Sequence, residues 1–423
     1  MKKVKVLAPN FAEFVPTSWQ EFPLWKVFEL RKEVVGEDWT EFTLLSLTKR
    51  GVIVRDLSES KGKFPESFDG YQKVQKDDFV FCLFDVAETP RTVGLVSEEG
   101  MITSAYTRMV LKSPEVYPEY LECLLIAIDD FKRFKPFYSG LRNTIQKETF
   151  MSTRIGVPSF DEQMAIVNYL KKELSEIDEV ISKQFELISS LELRKASLIV
   201  ETTTKGLNSK RTMGLSKIKW LIEYPEEWEV SPLFSLSNER KGVNKGLIEK
   251  NLLSLSYGRI VNKDIETNEG LLPESFEGYQ IVEHGDIVFR FTDLQNDKKS
   301  LRSARVNERG IITSAYVAIE VRAIDSRYLN YLMRAYDLMK VFYSMGGGLR
   351  QSLTYADVRF LPILVPPSTE QIAIADYLDL EIAHIDELLI SCKQMISELL
   401  TRKNVLNEAV VFGKVSVMNR GAK

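Results

Sequence analysis

Residues 65–81 read PESFDGYQKVQKDDFVF, and residues 273–289 read PESFEGYQIVEHGDIVF. The two stretches are identical at eleven of seventeen positions and lie 208 residues apart (273 − 65), about half of the 423-residue chain. Shorter identities recur at nearly the same offset: LLSL at 44–47 and 252–255, ITSAY at 102–106 and 312–316, and GLR at 140–142 and 348–350. The chain is therefore an internal duplication, which predicts a molecule with internal two-fold symmetry.

The composition is that of an ordinary globular protein, with 44% hydrophobic and 27% charged residues. The length suffices for roughly two to four domains, each with its own core. No apolar stretch is long enough to span a membrane, and the first residues, MKKVKVLAPNF, lack the apolar run of a signal peptide. The sequence therefore predicts a cytoplasmic protein with no membrane partner.

Cysteine and histidine usage argues against a metal site and against histidine catalysis. Cys82, Cys123 and Cys392 have no paired spacing, and neither His284 nor His384 has a second histidine at metal-ligand spacing. The sequence also lacks a G-x-x-x-x-G-K-[ST] phosphate loop and a G-x-G-x-x-G motif after a strand. We therefore predict no metal site, no histidine-based catalysis and no phosphate-loop or dinucleotide-binding motif in this chain.

Each copy begins with a region of mixed α and β character, residues 1–155 and 213–363. Both regions are rich in β-branched and aromatic residues broken by Gly, Asn and Asp. Both also contain one helical interval, at 117–133 and 326–341, where apolar residues recur every three or four positions. An α+β globule of about 150 residues accounts for each region.

Each copy ends with a long helix, predicted over residues 161–202 and 369–410. Apolar residues there step by four and three, which is the heptad pattern of a helix pair. The seam consists of Leu170, Leu174, Ile177, Ile181, Gln184, Ile188, Leu191, Lys195 and Leu198, and of the residues 208 positions later, from Leu378 to Leu406. Helices of about 40 residues would each be about 60 Å long. We predict an antiparallel pair; the alternative is that each helix packs on its own globule as an amphipathic surface helix.

Two junctions connect the copies in this prediction. Residues 203–219 are polar and basic, as expected of a linker into the second copy. The corresponding junction of the first copy involves the two ends of the chain, so residues 1–15 and 413–423 are predicted to meet. The expected architecture is two repeated globules held apart by a rigid antiparallel two-helix coiled coil, with pseudo-two-fold symmetry.

The net charge of −4 is unusual for a nucleic-acid-binding protein, but the charge is unevenly distributed. Residues 297–309, DKKSLRSARVNER, carry a local charge of +3 (five basic minus two acidic residues), whereas acids concentrate on the predicted long helices. Two globules at a fixed separation suit duplex DNA that is contacted at two places. The copies differ in their basic loops, which predicts two different half-sites; the alternative is that these loops are only solvated.

Candidate DNA-contacting residues come from these loops and from the Gly-Leu-Arg motif of both copies. In the favoured pairings, Arg contacts guanine or phosphate, and Asn or Gln contacts adenine. The candidates are Lys49, Arg50, Arg91, Arg142, Asn143, Arg259, Lys298, Lys299, Arg302, Arg305, Arg350 and Gln351. For Arg142 and Arg350, the alternative is a structural salt bridge to the coiled coil.

Short motifs recur in the same order around both long helices. Val-Pro at 157–158, Glu-Gln at 162–163, Tyr-Leu at 169–170 and Ile-Asp at 177–178 are matched by Val-Pro-Pro at 365–367, Glu-Gln at 370–371, Tyr-Leu at 377–378 and Ile-Asp at 385–386. Lys-Gly at 205–206 follows the first helix, and Trp-Leu at 220–221 precedes the second globule. With this ordered set, nearly the whole chain resembles the specificity (S) subunit of type I restriction-modification systems.

The resemblance implies a DNA-binding protein without catalytic activity. Residues 1–155 and 213–363 would be two target-recognition domains, each reading one half of an asymmetric bipartite site in double-stranded DNA. Residues 156–212 and 364–423 would be conserved spacer helices that set the spacing and dock two methyltransferase (M) subunits. Nuclease-translocase (R) subunits would join through the complex. S-adenosylmethionine, ATP and magnesium would belong to those partners, with none in this chain.

Two alternatives stay open at this point. The same architecture could serve a methylation-only or otherwise related modification system. A coiled-coil protein adaptor without DNA binding would explain the long helices, although it would not explain two divergent basic globules.

Overall fold

The computed structural model describes residues 9–55, 67–263, 275–292, 294, 301–345 and 352–418. By internal contacts the chain divides into two compact units. The first unit comprises residues 1–184 together with 394–423, and the second comprises residues 185–393. Each unit combines a globular region with parts of both long helices. The division into four segments made from the sequence stays a prediction.

The described part of the first unit has ten strands and three complete helices. The strands are β1 (Gln20–Pro23), β2 (Phe28–Leu30), β3 (Leu45–Thr48), β4 (Gly51–Val54), β5 (Gln72–Val74), β6 (Phe79–Phe81), β7 (Val93–Leu95), β8 (Gly100–Ile102), β9 (Thr107–Leu111) and β10 (Arg154–Val157). The helices are α1 (Leu24–Val27), α2 (Pro118–Asp130) and α3 (Lys147–Ser152), followed by the start of α4 (Phe160–Lys205).

The second unit repeats this order among its described residues from its third strand onward, after an additional pair of strands. The strands are β11 (Met213–Leu215), β12 (Glu223–Pro225), β13 (Glu229–Pro232), β14 (Ser237–Glu239), β15 (Leu253–Ser256), β16 (Arg259–Asn262), β17 (Gln280–Val282), β18 (Ile287–Phe289), β19 (Ser303–Arg305), β20 (Gly310–Ile312), β21 (Val317–Val321) and β22 (Pro362–Val365). The helices are α5 (Leu233–Leu236), α6 (Ser326–Leu338) and α7 (Tyr355–Val358), followed by α8 (Ser368–Val411), which ends in the first unit. Short 3₁₀ turns cover Ala12–Phe14, Gly36–Glu41, Lys135–Phe137 and Phe342–Ser344.

Each unit is built around a four-stranded antiparallel sheet, in the order β2-β9-β6-β7 in the first and β14-β21-β18-β19 in the second. The internal strands β6 and β18 are the ends of the duplicated stretch, and all of their side chains are buried. Val and Phe suit a strand that is covered on both faces. The duplicated stretch therefore supplies the centre of each core.

A duplicated glutamine explains why the Thr-Ser-Ala-Tyr turn is also duplicated. The amide nitrogen of Gln72 donates to the carbonyl oxygens of Thr103 at 3.2 Å and Tyr106 at 2.8 Å. In the second unit Gln280 makes the same two bonds, to Thr313 and Tyr316. Because Gln72 is buried, a replacement would leave two carbonyls without a donor.

The Glu-Gln motif fastens each long helix to the short helix of its unit. The side-chain oxygen of Gln163 accepts from the backbone N–H of Tyr117 at 2.7 Å, and its amide nitrogen donates to the carbonyls of Glu115 and Pro158. Gln371 repeats this pattern with the N–H of Asp325 at 2.8 Å and the carbonyl of Pro366. Tyr117 and Asp325 are the N-cap residues of α2 and α6. The motif thus positions the start of two helices at once.

Within each unit, segments of the two long helices run antiparallel. In the first unit Asp178 pairs with Lys403, while the earlier Leu170 shares a core with the later Val410. In the second unit Lys195 pairs with Asp386, while the later Gly206 lies beside the earlier Glu370. The predicted antiparallel pairing is confirmed. The alternative also holds for the helix ends, since Leu170 and Leu378 lie in globular cores.

The predicted meeting of the two chain ends is found among the described residues of the first unit. Phe11 and Trp19 share a hydrophobic core with Phe412 and Val417. A Cβ atom at Gly413 would lie 2.6 Å from the ring of Pro16, so only glycine allows this approach. Residues 1–8 and 419–423 lie outside the described part.

Candidate nucleic-acid interface

Each unit contains a cleft between a β-hairpin, its short helix and the long helices. The first cleft, of about 560 Å³, lies between the β3–β4 hairpin, α2 and the helix segments around Leu174 and Lys403. The second cleft, of about 480 Å³, lies between the β15–β16 hairpin, α6 and the segments around Lys195 and Ile382. Glu122 and Asn330 line the two clefts at positions 208 residues apart. The clefts therefore occupy the same place in the repeat.

An aspartate from a long helix lies in each cleft and binds the lysine of the other helix. Both oxygens of Asp178 accept from Lys403 at 2.6 Å. Asp386 accepts from Lys195 at 2.5 Å and also from Arg259, at 2.7 Å, in the second hairpin. Gly51 is the residue that aligns with Arg259, so the first hairpin has no such tie to its helix.

The first cleft collects three of the predicted residues, Lys49, Arg50 and Arg91. Lys49 and Arg50 are exposed in the turn of the β3–β4 hairpin. Arg91 is only 14% exposed and pairs with Asp130 at 2.7 Å. Burial raises the pKa of the Asp130 carboxyl, and Arg91 opposes this rise. Of these three predicted residues, Lys49 and Arg50 have no ion pair among the described residues, whereas Arg91 is held by carboxylates.

The second cleft contains Arg259 and Arg305 from the predicted set. Arg259 is 69% exposed despite its ion pair with Asp386. Arg305 donates to the hydroxyl of Ser326 at 2.7 Å. Arg302 has no exposed surface, and its guanidinium donates to the carbonyl of Thr292 at 3.0 Å, so this arginine serves the interior of the unit.

The Gly-Leu-Arg motif of the first copy lies away from the cleft. Arg142 binds Asp85 through Nε at 3.1 Å, and its guanidinium lies 5.1 Å from the ring centroid of Phe84. This contact lowers the pKa of the Asp85 carboxyl. Arg142 therefore forms a salt bridge, as the alternative interpretation predicted, but its partner lies in the loop after β6 and not on the coiled coil. Asn143 takes a left-handed conformation, with φ of 44°, in the same turn.

Comparison with known proteins identifies the fold. A protein of Methanocaldococcus jannaschii described as a type I restriction enzyme MjaX specificity subunit is 24% identical over 324 residues, which cover 72% of this chain and 69% of the relative. The crystal structure of the HsdS subunit from Thermoanaerobacter tengcongensis matches with a TM-score of 0.51 at 15% identity, covering 95% of this chain and 98% of that one. The chain has the fold of a type I specificity subunit. No protein-family model matches it.

A second solved chain of this fold comes from a structural study of complex assembly and conformational transition of the type I restriction-modification system. That chain matches with a TM-score of 0.68 at 14% identity, and the match covers 95% of this chain and 99% of that one. The resemblance to the S subunit predicted from the sequence motifs is therefore confirmed, as is the predicted fold class.

Four of the candidate DNA-contacting residues lie outside the described part of the chain. They are Lys298, Lys299, Arg350 and Gln351. Their proposed contacts with DNA stay predictions.

Sequence reasoning missed a set of polar residues on α6 that faces the second cleft. Arg327, Asn330 and Arg334 recur at helical spacing and all line the cleft. The signal was present in the duplication, because the residues 208 positions earlier are Glu119, Glu122 and Ile126. Comparing the two copies at intervals of three and four residues would have found this difference.

Within the described ranges, no three His, Cys, Asp or Glu side chains are grouped as ligands of a metal ion. None of the described helices combines the length and the apolar character needed to cross a lipid bilayer.

Proposed function

We propose that this chain is the DNA-specificity subunit of a type I restriction-modification complex and has no catalytic activity of its own. Each unit would read one half of an asymmetric bipartite site in double-stranded DNA. The observation that carries this proposal is the pair of clefts, which occupy equivalent positions but present different side chains. Recognition of two different half-site sequences requires different polar side chains on the same backbone scaffold.

The proposed partners follow from the same duplication. Surfaces that both copies share would bind the same subunit twice, which suits two methyltransferase (M) subunits. Nuclease-translocase (R) subunits would join through the complex. The study of type I complex assembly, whose chain shares this fold, supports such partners. S-adenosylmethionine, ATP and magnesium would be bound by those subunits.

Genome-wide mapping of methylated adenines tests the DNA-reading function. Single-molecule sequencing of a host with the gene and of a host lacking it should differ by one motif with two defined halves and an unread spacer. Restoring the gene should restore that motif. A methylation pattern that is unchanged by deletion would contradict the proposal.

Exposed apolar side chains at repeated positions of the long helices support the docking of two M subunits. Val180 on α4 is 40% exposed and Leu388 on α8 is 52% exposed, and they lie 208 residues apart beside the heptad seam. Met164 and Ile372 repeat this correspondence near the helix starts, at 37% and 47% exposed. Apolar groups that both copies keep in solvent are suited to an interface.

Each of Val180→Asp and Leu388→Asp is therefore expected to remove one M subunit from the complex. A carboxylate would have to lose its water inside an apolar contact, so we expect at least tenfold weaker binding at that site. Light scattering of the purified complex measures the stoichiometry. Ser175→Asp and Ala383→Asp are the controls, because they place the same charge about 140° around each helix. Two M subunits retained in both apolar-site variants would exclude this docking face.

A further inference from the structure

The two short helices present opposite charges to otherwise equivalent clefts. On α6, Arg327, Asn330 and Arg334 line the second cleft, whereas α2 carries Glu119, Glu122 and Ile126 at the same positions of the repeat. The formal charge of this helix face is therefore +2 in the second unit and −2 in the first. A charge difference of this size at one place in a duplicated fold indicates that the two clefts bind different chemical groups.

Arg334 is a half-buried cation in the second cleft that has no carboxylate partner among the described residues. Its guanidinium donates to the carbonyl oxygens of Gly258 and, at 3.1 Å, of Ser303. Its buried Nε has no hydrogen-bond acceptor in the described structure. Burial lowers the pKa of Arg334, which expresses the cost of holding this charge away from water. An anion in the cleft would offset that cost.

Arg305, on strand β19, lines the same cleft and likewise has no carboxylate within ion-pair distance in the described structure. It donates to the hydroxyl of Ser326 and lies 3.3 Å from the ring nitrogen Nε2 of His284. The other arginine of the helix face, Arg327, is already paired with Asp376 at 2.7 Å and Asp379 at 3.0 Å. Arg259 is likewise paired, with Asp386, so Arg305 and Arg334 are the two arginines of this cleft without a carboxylate partner among the described residues.

We propose that the second cleft binds a DNA backbone phosphate through Arg305 and Arg334, and that the first cleft binds none at the equivalent position. Guanidinium groups suit phosphate because their planar N–H donors match two of its oxygens. In the first cleft, Glu122 would repel the same phosphate. This inference rests on the proposed DNA function and adds an asymmetry to it. The second cleft contacts a phosphate of the DNA backbone, and the first cleft makes no such contact at the equivalent position.

The salt dependence of DNA binding tests this phosphate contact. With the full chain in complex with its M subunits and a duplex of arbitrary sequence, Arg305→Gln should weaken binding about tenfold and flatten the slope of log K against log salt by about 0.9. Arg305→Lys should keep the slope but bind more weakly, because one charge remains without the planar donor pair. Glu122→Gln, which changes a charge in the first cleft, should leave the slope unchanged.

The possible results separate the inference from the function on which it rests. A wild-type complex that fails to bind DNA contradicts the proposed function itself. A wild-type complex that binds DNA, with an Arg305→Gln variant of the same affinity and slope, overturns the phosphate site alone. Arg334→Gln should reproduce the loss, with thermal melting of the variant as a check that the second hairpin stays folded.

Inorganic phosphate is the probe that distinguishes a free ion from the DNA backbone. We expect it to compete with duplex DNA only weakly, because a single ion lacks the rest of the interface. Tight binding of inorganic phosphate that depends on Arg305, combined with DNA binding that does not, would assign the cleft to a free phosphate and overturn the backbone contact.

Discussion

Gly310→Ala is expected to destabilise the second unit by about 3 kcal/mol, and Gly100→Ala to do the same to the first. A Cβ atom at residue 310 would lie 2.6 Å from the carbonyl oxygen of Asn251 and 2.7 Å from the side chain of Leu253. At residue 100 it would lie 2.5 Å from the carbonyl oxygen of Thr43. The carbonyl oxygens of Asn251 and Thr43 are backbone atoms, so they cannot move away without disturbing the neighbouring segment.

Chemical denaturation of the full chain measures the loss, and the repeat provides matched controls. Gly70 and Gly278 also lie 208 residues apart, and neither has an atom within 4 Å of the Cβ position nor a left-handed conformation. Alanine at these two positions should change the free energy of unfolding by less than about 1 kcal/mol. Equal losses in the control and core variants would show that close packing is not the cause.

The sequence predicted the long helices well because their apolar spacing directly reports a buried face. The predicted intervals 161–202 and 369–410 became Phe160–Lys205 and Ser368–Val411. The short helices were predicted to run three residues too far. Both α2 and α6 stop where Lys132 and Lys340 turn left-handed, with φ of 46° and 61°. Glycine usually occupies the left-handed position that ends a helix, and lysine rarely does. The ends of these two helices were therefore not marked in the sequence.

The candidate site was predicted less completely, since a basic run in sequence does not show which side chains share a surface. Arg302 and Arg305 lie in one basic run, yet Arg302 is buried and its N–H donates to Asp337 of α6 at 2.7 Å. Arg305 lines the second cleft with Arg334, which is 29 residues away (334 − 305). The packing of β19 against α6 buries Arg302 and leaves Arg305 at the cleft. A search for local charge in the sequence does not detect contacts between distant residues.

Arg50→Ala is expected to weaken recognition of the first half-site by about 1–3 kcal/mol, and Arg259→Ala to weaken the second by a smaller amount. Both residues lie in the hairpin at the edge of a cleft. Arg50 has no ion pair in the described structure, so its donors are available to DNA. Arg259 must first give up part of its contact with Asp386, at 2.7 Å, and this reduces what its removal can cost.

Binding to duplexes with one half-site altered at a time measures these effects in the complex with M subunits. Arg50→Ala should lose discrimination only at the first half, and Arg259→Ala only at the second. Lys172→Ala, which removes an exposed charge from α4, should weaken neither half selectively. Asp386→Asn should strengthen binding to the second half, because Arg259 then has no carboxylate to leave. If Asp386→Asn instead weakens the second half, the ion pair positions the hairpin for DNA and does not compete with it.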